Sequence, residues 1–148
     1  MSQRSERAKA LFLEGYNCAQ AVVGAFADQF DMDFSTLMKS ISSFGGGMGR
    51  LREVCGAVSG MFFVAGALYG YDDPKAKEEK AEHYHLIQTL AAKFREKNGS
   101  IICRELLGET DKSVTHVPSE RTQAYYQKRP CQELVADAVL VLEEVCNL

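Results

Sequence analysis

The sequence lacks an excess of positive charge: 17 lysines and arginines face 20 aspartates and glutamates, a formal net charge of −3. Without a basic field to neutralise phosphates, nucleic acid is not an expected partner. The N-terminal stretch MSQRSERAKA lacks the apolar core of a secretory signal, so the expected location is cytoplasmic and reducing. No alternating strand pattern, repeat or low-complexity tract is present. No Gly-Lys-Ser/Thr closes the glycine run Gly45–Gly49, and that run follows a predicted helix rather than the strand a dinucleotide fingerprint needs, which argues against a nucleotide site. The single Glu-x-x-His, Glu82 to His85, has no second copy of the kind that builds a two-metal bundle, and reads as solvated helix surface. His116 lies in a polar loop without evident partners.

Charge is also missing from Val54 to Tyr71. That length reaches the lower edge of a membrane span, but small residues dilute its hydrophobicity and every flanking segment is amphipathic. The expectation is no membrane span, and instead a glycine-rich helix buried at the centre of a helical domain.

Periodicity supplies the rest of the fold. Ala8, Leu11 and Phe12 make a short stripe that Gly15 stops, and Asn17 caps a second helix carrying Ala21, Val22 and Phe26. Asp31 or Asp33 opens a third helix with Leu37, Met38 and Ile41. The apolar helix is expected from about Arg52 to Tyr69. Asp73 with Pro74 signals a fifth helix through Tyr84, Ile87, Leu90 and Phe94, closed at Asn98-Gly99. A short helix spans Ile101 to Leu107. Gly108 to Lys128 is polar and irregular, with a turn or two near Arg121 to Gln127, and Pro130 starts a final helix through Leu134, Ala138 and Leu142. The prediction is all-α: one domain, residues 1–148, of about six to seven helices around the buried glycine-rich one.

The five cysteines then stand out. Cys18, Cys55, Cys103 and Cys131 all fall at predicted helix starts, where exposed N–H groups and the positive end of the dipole favour thiolate. Cys146 falls at a helix end, where the dipole disfavours it. None forms a Cys-x-x-Cys, so a resolving thiol must come from another helix. In GGGMGRLREVCGAVSG, glycine occupies six of sixteen positions. Cys55 and Ser59 would lie one helical turn apart, as would Gly56 and Gly60, forming one smooth patch. Ser59 would then donate to the Cys55 sulfur. The patch suits an approaching ligand, in a site with Gly45, Gly46 and Gly47, as well as it suits close helix packing. Arg50 and Arg52 are expected to be solvated or paired rather than to hold an anion.

The landmarks GYNCAQAV from Gly15, FGGGMG from Phe44, CGAVSG from Cys55, CRELLG from Cys103, and Cys131 ahead of the last helix occur in that order. Together they resemble the C_GCAxxG_C_C family, over about Ala8 to Val145. The resemblance implies a small prokaryotic protein whose redox role is itself inferred from its cysteines. Its four cysteines map onto Cys18, Cys55, Cys103 and Cys131, and Cys146 has no counterpart.

The resulting functional expectation is a cysteine-based redox protein cycling between dithiol and disulfide. Cys55 is the attacking thiolate, Cys18 resolves it, and Cys103 with Cys131 form a second pair or a relay. Its partner would be a redox protein or a small thiol, with a second copy of the chain as a further candidate. The alternatives are a module in which the same four thiolates hold zinc or an iron–sulfur cluster, and a helical interaction domain with cysteines as core filler. No cofactor follows from the residues alone.

Overall fold

Local capping chemistry decides where the first helices begin. The computed structural model covers residues 1–148. Helix α1 (Gln3–Glu14) is opened by Ser2 and Ser5, each side chain accepting the other's backbone N–H. Helix α2 (Cys18–Gly24) uses the same device, with Asn17 and Gln20 as the reciprocal pair. Asp33 caps α3 (Phe34–Ile41) by accepting from the Thr36 N–H. The remaining right-handed α-helices are α4 (Gly56–Tyr69), α5 (Lys77–Asn98), α6 (Cys103–Leu107), α7 (Gln123–Lys128) and α8 (Cys131–Cys146). The architecture is all-α, and no helix is long and apolar enough to cross a membrane.

One hydrophobic core joins α1, α2, α4, α5 and α8. Phe12, Phe26 and Phe94 are fully buried in it, each contributing roughly 1.5–3 kcal/mol by leaving water. Helix α2 is buried almost all round, whereas α4 buries Gly56, Ala57, Val58, Gly60, Met61, Val64 and Ala65 and leaves Ala67 and Tyr69 exposed. The two helices meet closely because Gly60 has no side chain. A Cβ there would stand 2.9 Å from the Ala19 carbonyl oxygen and 3.0 Å from the Val22 Cβ. Gly60 therefore serves helix packing. Gly56, one turn earlier, lets Cys18 approach the start of α4: a Cβ on it would lie 3.1 Å from the Cys18 Cβ.

Between α3 and α4 the chain winds the wrong way. Gly46, Gly47, Met48, Gly49 and Arg50 have φ of 67°, 72°, 68°, 59° and 66°, which is one turn of left-handed helix. Such backbone costs about 1–2 kcal/mol at each residue with a Cβ, so three glycines in five positions make the turn affordable. Met48, Arg50 and, just beyond, Arg52 (φ 62°) are held there by their surroundings.

The expected helix from Arg52 begins only at Gly56. Residues 52 to 55 are instead non-helical and pair with residues 101 to 104: Cys55 N–H to Ile101 O at 2.8 Å, Cys103 N–H to Glu53 O at 2.6 Å, and Arg104 N–H to Arg52 O at 3.2 Å. A single bridge, Val54 with Ile102, is the only β-pairing. Helix α5 also starts later than Asp73-Pro74 suggests. The Asp73 side chain accepts the Lys75 N–H and its carbonyl accepts the Ala76 N–H, closing a turn ahead of the helix.

Candidate functional site

Four helix starts converge on one cavity. Cys18, Cys103 and Cys131 are the first residues of α2, α6 and α8, and Cys55 is the residue before α4. All four line a cavity of about 270 Å³ and all are buried free thiols. The hydrogen bonds between residues 52–55 and 101–104 bring together the segments that carry Cys55 and Cys103. The α2–α4 contact through Gly56 brings in Cys18, and Pro130 starts α8 with Cys131 facing it. Cys146 stands at the other end of α8, about 22 Å away by helical rise, and lines a separate hollow with Tyr71 and His83. His83 is half-buried there, with its Nδ1 unpartnered, and His85 is exposed.

The glycine run borders the cavity. Gly45, Gly46, Gly47 and Gly56 line it, and a Cβ on Gly47 would meet the Cys103 Cβ at 2.6 Å. Ser59 and Gly60 do not line it, which corrects the expected patch. Cys55 precedes α4 with extended backbone (φ −52°, ψ 134°), so its side chain does not stack one helical turn below Ser59.

Electrostatics separates the four thiols. Cys131 acts on Cys18 more strongly than any other group and pushes it well above the ordinary thiol range; burial and the charges of Cys55 and Cys103 add to this. The interaction with Cys18 lowers Cys131 to about 7, against burial, with further help from the guanidiniums of Arg129 and Arg121. Burial pushes Cys55 up to about 12, although the Val58 and Ala57 N–H groups favour its thiolate. Cys103 is also raised by burial, opposed by Arg52, whose Nη1 lies 3.8 Å from its sulfur. Burial thus works against a thiolate at Cys55, the expected attacking sulfur. A helix start supplies fractional charge, and at a fully enclosed sulfur desolvation outweighs it. Cys131 has whole charges beside it.

Those charges belong to a system that sequence reasoning only partly identified. Asp111 Oδ2 accepts from Arg50 at 3.4 Å, Arg52 at 3.0 Å and Arg129. Arg50 also donates to the carbonyls of Thr115 and Val117, and Arg52 Nε to that of Ser113 at 2.9 Å. Arg121 donates to the carbonyls of Phe12 and Tyr16. The irregular strap of residues 111–122 is thereby fastened across the cavity mouth. Arg50 and Arg52 are paired, as expected. Arg129 carried a local signal, since it stands two residues before Cys131. Arg121 and Asp111 carried none, because their partners lie far away in sequence.

The cavity can host thiol chemistry with one activated sulfur and a neighbouring thiol to complete it. No three His, Cys, Asp or Glu side chains are grouped as a metal site requires, so holding zinc or a cluster would need the sulfurs to move closer together.

No curated protein and no solved structure matches the chain. Residues 16–145 match the family model described as "Putative redox-active protein (C_GCAxxG_C_C)", a span that contains the left-handed turn, the strap and all four clustered cysteines. The chain belongs to that family.

Proposed function

We propose that the protein is a thiol redox carrier in which Cys131 and Cys18 cycle between dithiol and disulfide. The observation that carries this reading is the meeting of Cys18, Cys131, Arg121 and Arg129 around one cavity, where Cys18 and the two guanidiniums favour thiolate at Cys131 and Cys18 itself is held protonated. In the reductive direction the Cys131 thiolate attacks one sulfur of a substrate disulfide. A mixed disulfide forms and the first substrate sulfur leaves as a thiolate, which takes up a proton. Cys18 then loses its proton and attacks the Cys131 sulfur. The second substrate sulfur leaves, and two electrons have passed from the protein to the substrate. Cys55 and Cys103, on two paired segments that line the cavity, are the second dithiol in this scheme. They reduce the Cys18–Cys131 disulfide and are reduced in turn by a partner thiol. A reducing, cytoplasmic setting suits a resting form with all five thiols free.

The test is anaerobic exposure of the reduced protein to glutathione disulfide, followed by trapping and peptide mapping. A Cys18–Cys131 bond that forms first and is reversed by dithiothreitol is expected. A first bond elsewhere, five unreacted thiols, or stoichiometric zinc or iron in anaerobically purified protein would overturn the reading.

A further inference from the structure

The thiol cavity carries more positive charge than its own residues neutralise. Arg50, Arg52, Arg121 and Arg129 all line it, and no aspartate or glutamate does. Asp111 stands behind the wall and offers one oxygen, Oδ2, to three of these guanidiniums. The other acids nearby are spent outward: Glu53 on Arg104 at 3.3 Å, and Glu109 on Lys112 at 2.8 Å, while Glu120 is exposed on the strap. Counting a Cys131 thiolate, four fixed positive charges face two negative ones. Arg52 is 2% exposed, and the side chains of Arg129 and Arg50 are 10% and 13% exposed. Unmatched charge that far from water is costly, and an anion entering the cavity would relieve it.

The guanidiniums also hold donors in reserve. Arg129 bonds oxygen only through Nη2, to Asp111 and Ser119, and Arg121 uses one bond each from Nη1 and Nη2, out of five N–H donors apiece. Both residues adjoin the Cys131–Cys18 pair. A ligand sulfur delivered to Cys131 would therefore carry its flanking groups past Arg121 and Arg129. At about 270 Å³ the chamber lies at the small end of ligand sites, under a fastened strap, and is too small for a protein loop.

We infer that the substrate of this site is a small disulfide bearing carboxylates, recognised by the guanidiniums around Cys131. The inference rests on the dithiol reading above and adds the class of compound that supplies or receives the electrons. The disulfide bond is reduced as written there, and both products leave as anionic thiols.

Three disulfides that differ chiefly in charge provide the test: dithiodipropionate, hydroxyethyl disulfide and cystamine, which are dianionic, neutral and dicationic. The rate of Cys18–Cys131 disulfide formation at neutral pH is measured for each and divided by its rate with free mercaptoethanol, which removes intrinsic reactivity. The expected order is anionic, then neutral, then cationic, spanning at least about tenfold at low salt and shrinking in about 0.5 M salt. Arg121→Gln should compress the anionic-to-neutral ratio. Equal or reversed normalised rates, with the disulfide still forming, would overturn the charge selection alone. Failure of all three to give a Cys18–Cys131 bond would instead overturn the dithiol reading, and this inference with it.

Discussion

Helix α8 has a cysteine at each end, and the two ends differ. At the start, Cys131 is drawn down to about 7 by the Cys18 thiol and two guanidiniums. At the end, Cys146 is raised by burial, with no cation acting on it. The dipole predicts that direction, but Cys55 also stands at a helix start and is pushed to about 12. A helix start is thus not sufficient. What distinguishes Cys131 is the Cys18 thiol acting on it together with full charge from Arg129 and Arg121, which jointly outweigh desolvation where the dipole alone does not.

The largest effect that would break this contrast is in alkylation. Cys131 and Cys55 are nearly equally enclosed, 6% and 4% exposed, so access does not separate them. The gap between about 7 and about 12, offset by the weaker nucleophilicity of the more acidic thiol, leaves Cys131 roughly 150- to 500-fold faster at pH 7. Residue-resolved mass spectrometry after brief iodoacetamide treatment measures this, and equal rates would discard the charge argument.

Glycine substitutions sharpen the comparison between the two ends of the molecule. Gly47→Ala at the thiol cavity should destabilise by about 3 kcal/mol, through left-handed strain and a clash with Cys103 and the Arg52–Glu53 backbone. Near Cys146, Gly66 lies inside α4 with its nearest neighbour, His83 Nε2, at 4.0 Å from an added Cβ. Gly66→Ala should stabilise by about 0.5–1 kcal/mol. Urea unfolding reads both, and equal signs would contradict the packing described here.

Arg129→Gln should raise the midpoint of the Cys131 alkylation profile and leave that of Cys146 in place. Each unit of rise lowers the thiolate fraction at pH 7 roughly fivefold. An unmoved midpoint would assign the activation to Cys18 and Arg121.

The smallest effect is on stability against pH. Cys131 holds its proton less tightly folded than unfolded, so between about pH 7 and the ordinary thiol value of 9.0 the unfolded chain binds more protons. Stability should rise across that window and be lost as pH falls through 7, and Cys131→Ser should flatten the rise. An unchanged profile in the variant would mean the thiolate contributes nothing to the fold.

Sequence alone determined the helical class, the core faces and the helix-start positions of Cys18, Cys55, Cys103 and Cys131, because capping and 3.6-residue periodicity are local properties. It also marked GGGMG as a place of close backbone approach. It did not reveal the left-handed turn, the pairing of residues 52–55 with 101–104 or the displaced start of α4, since these depend on contacts with a segment some fifty residues away. Only the tertiary structure decided which thiol is activated. Burial of Cys55, the arrival of Arg121 beside Cys131 and the anchoring of Arg50, Arg52 and Arg129 on Asp111 are long-range events. A sulfur's acidity follows the balance of desolvation and neighbouring charge, and that balance exists only once the chain has closed around it.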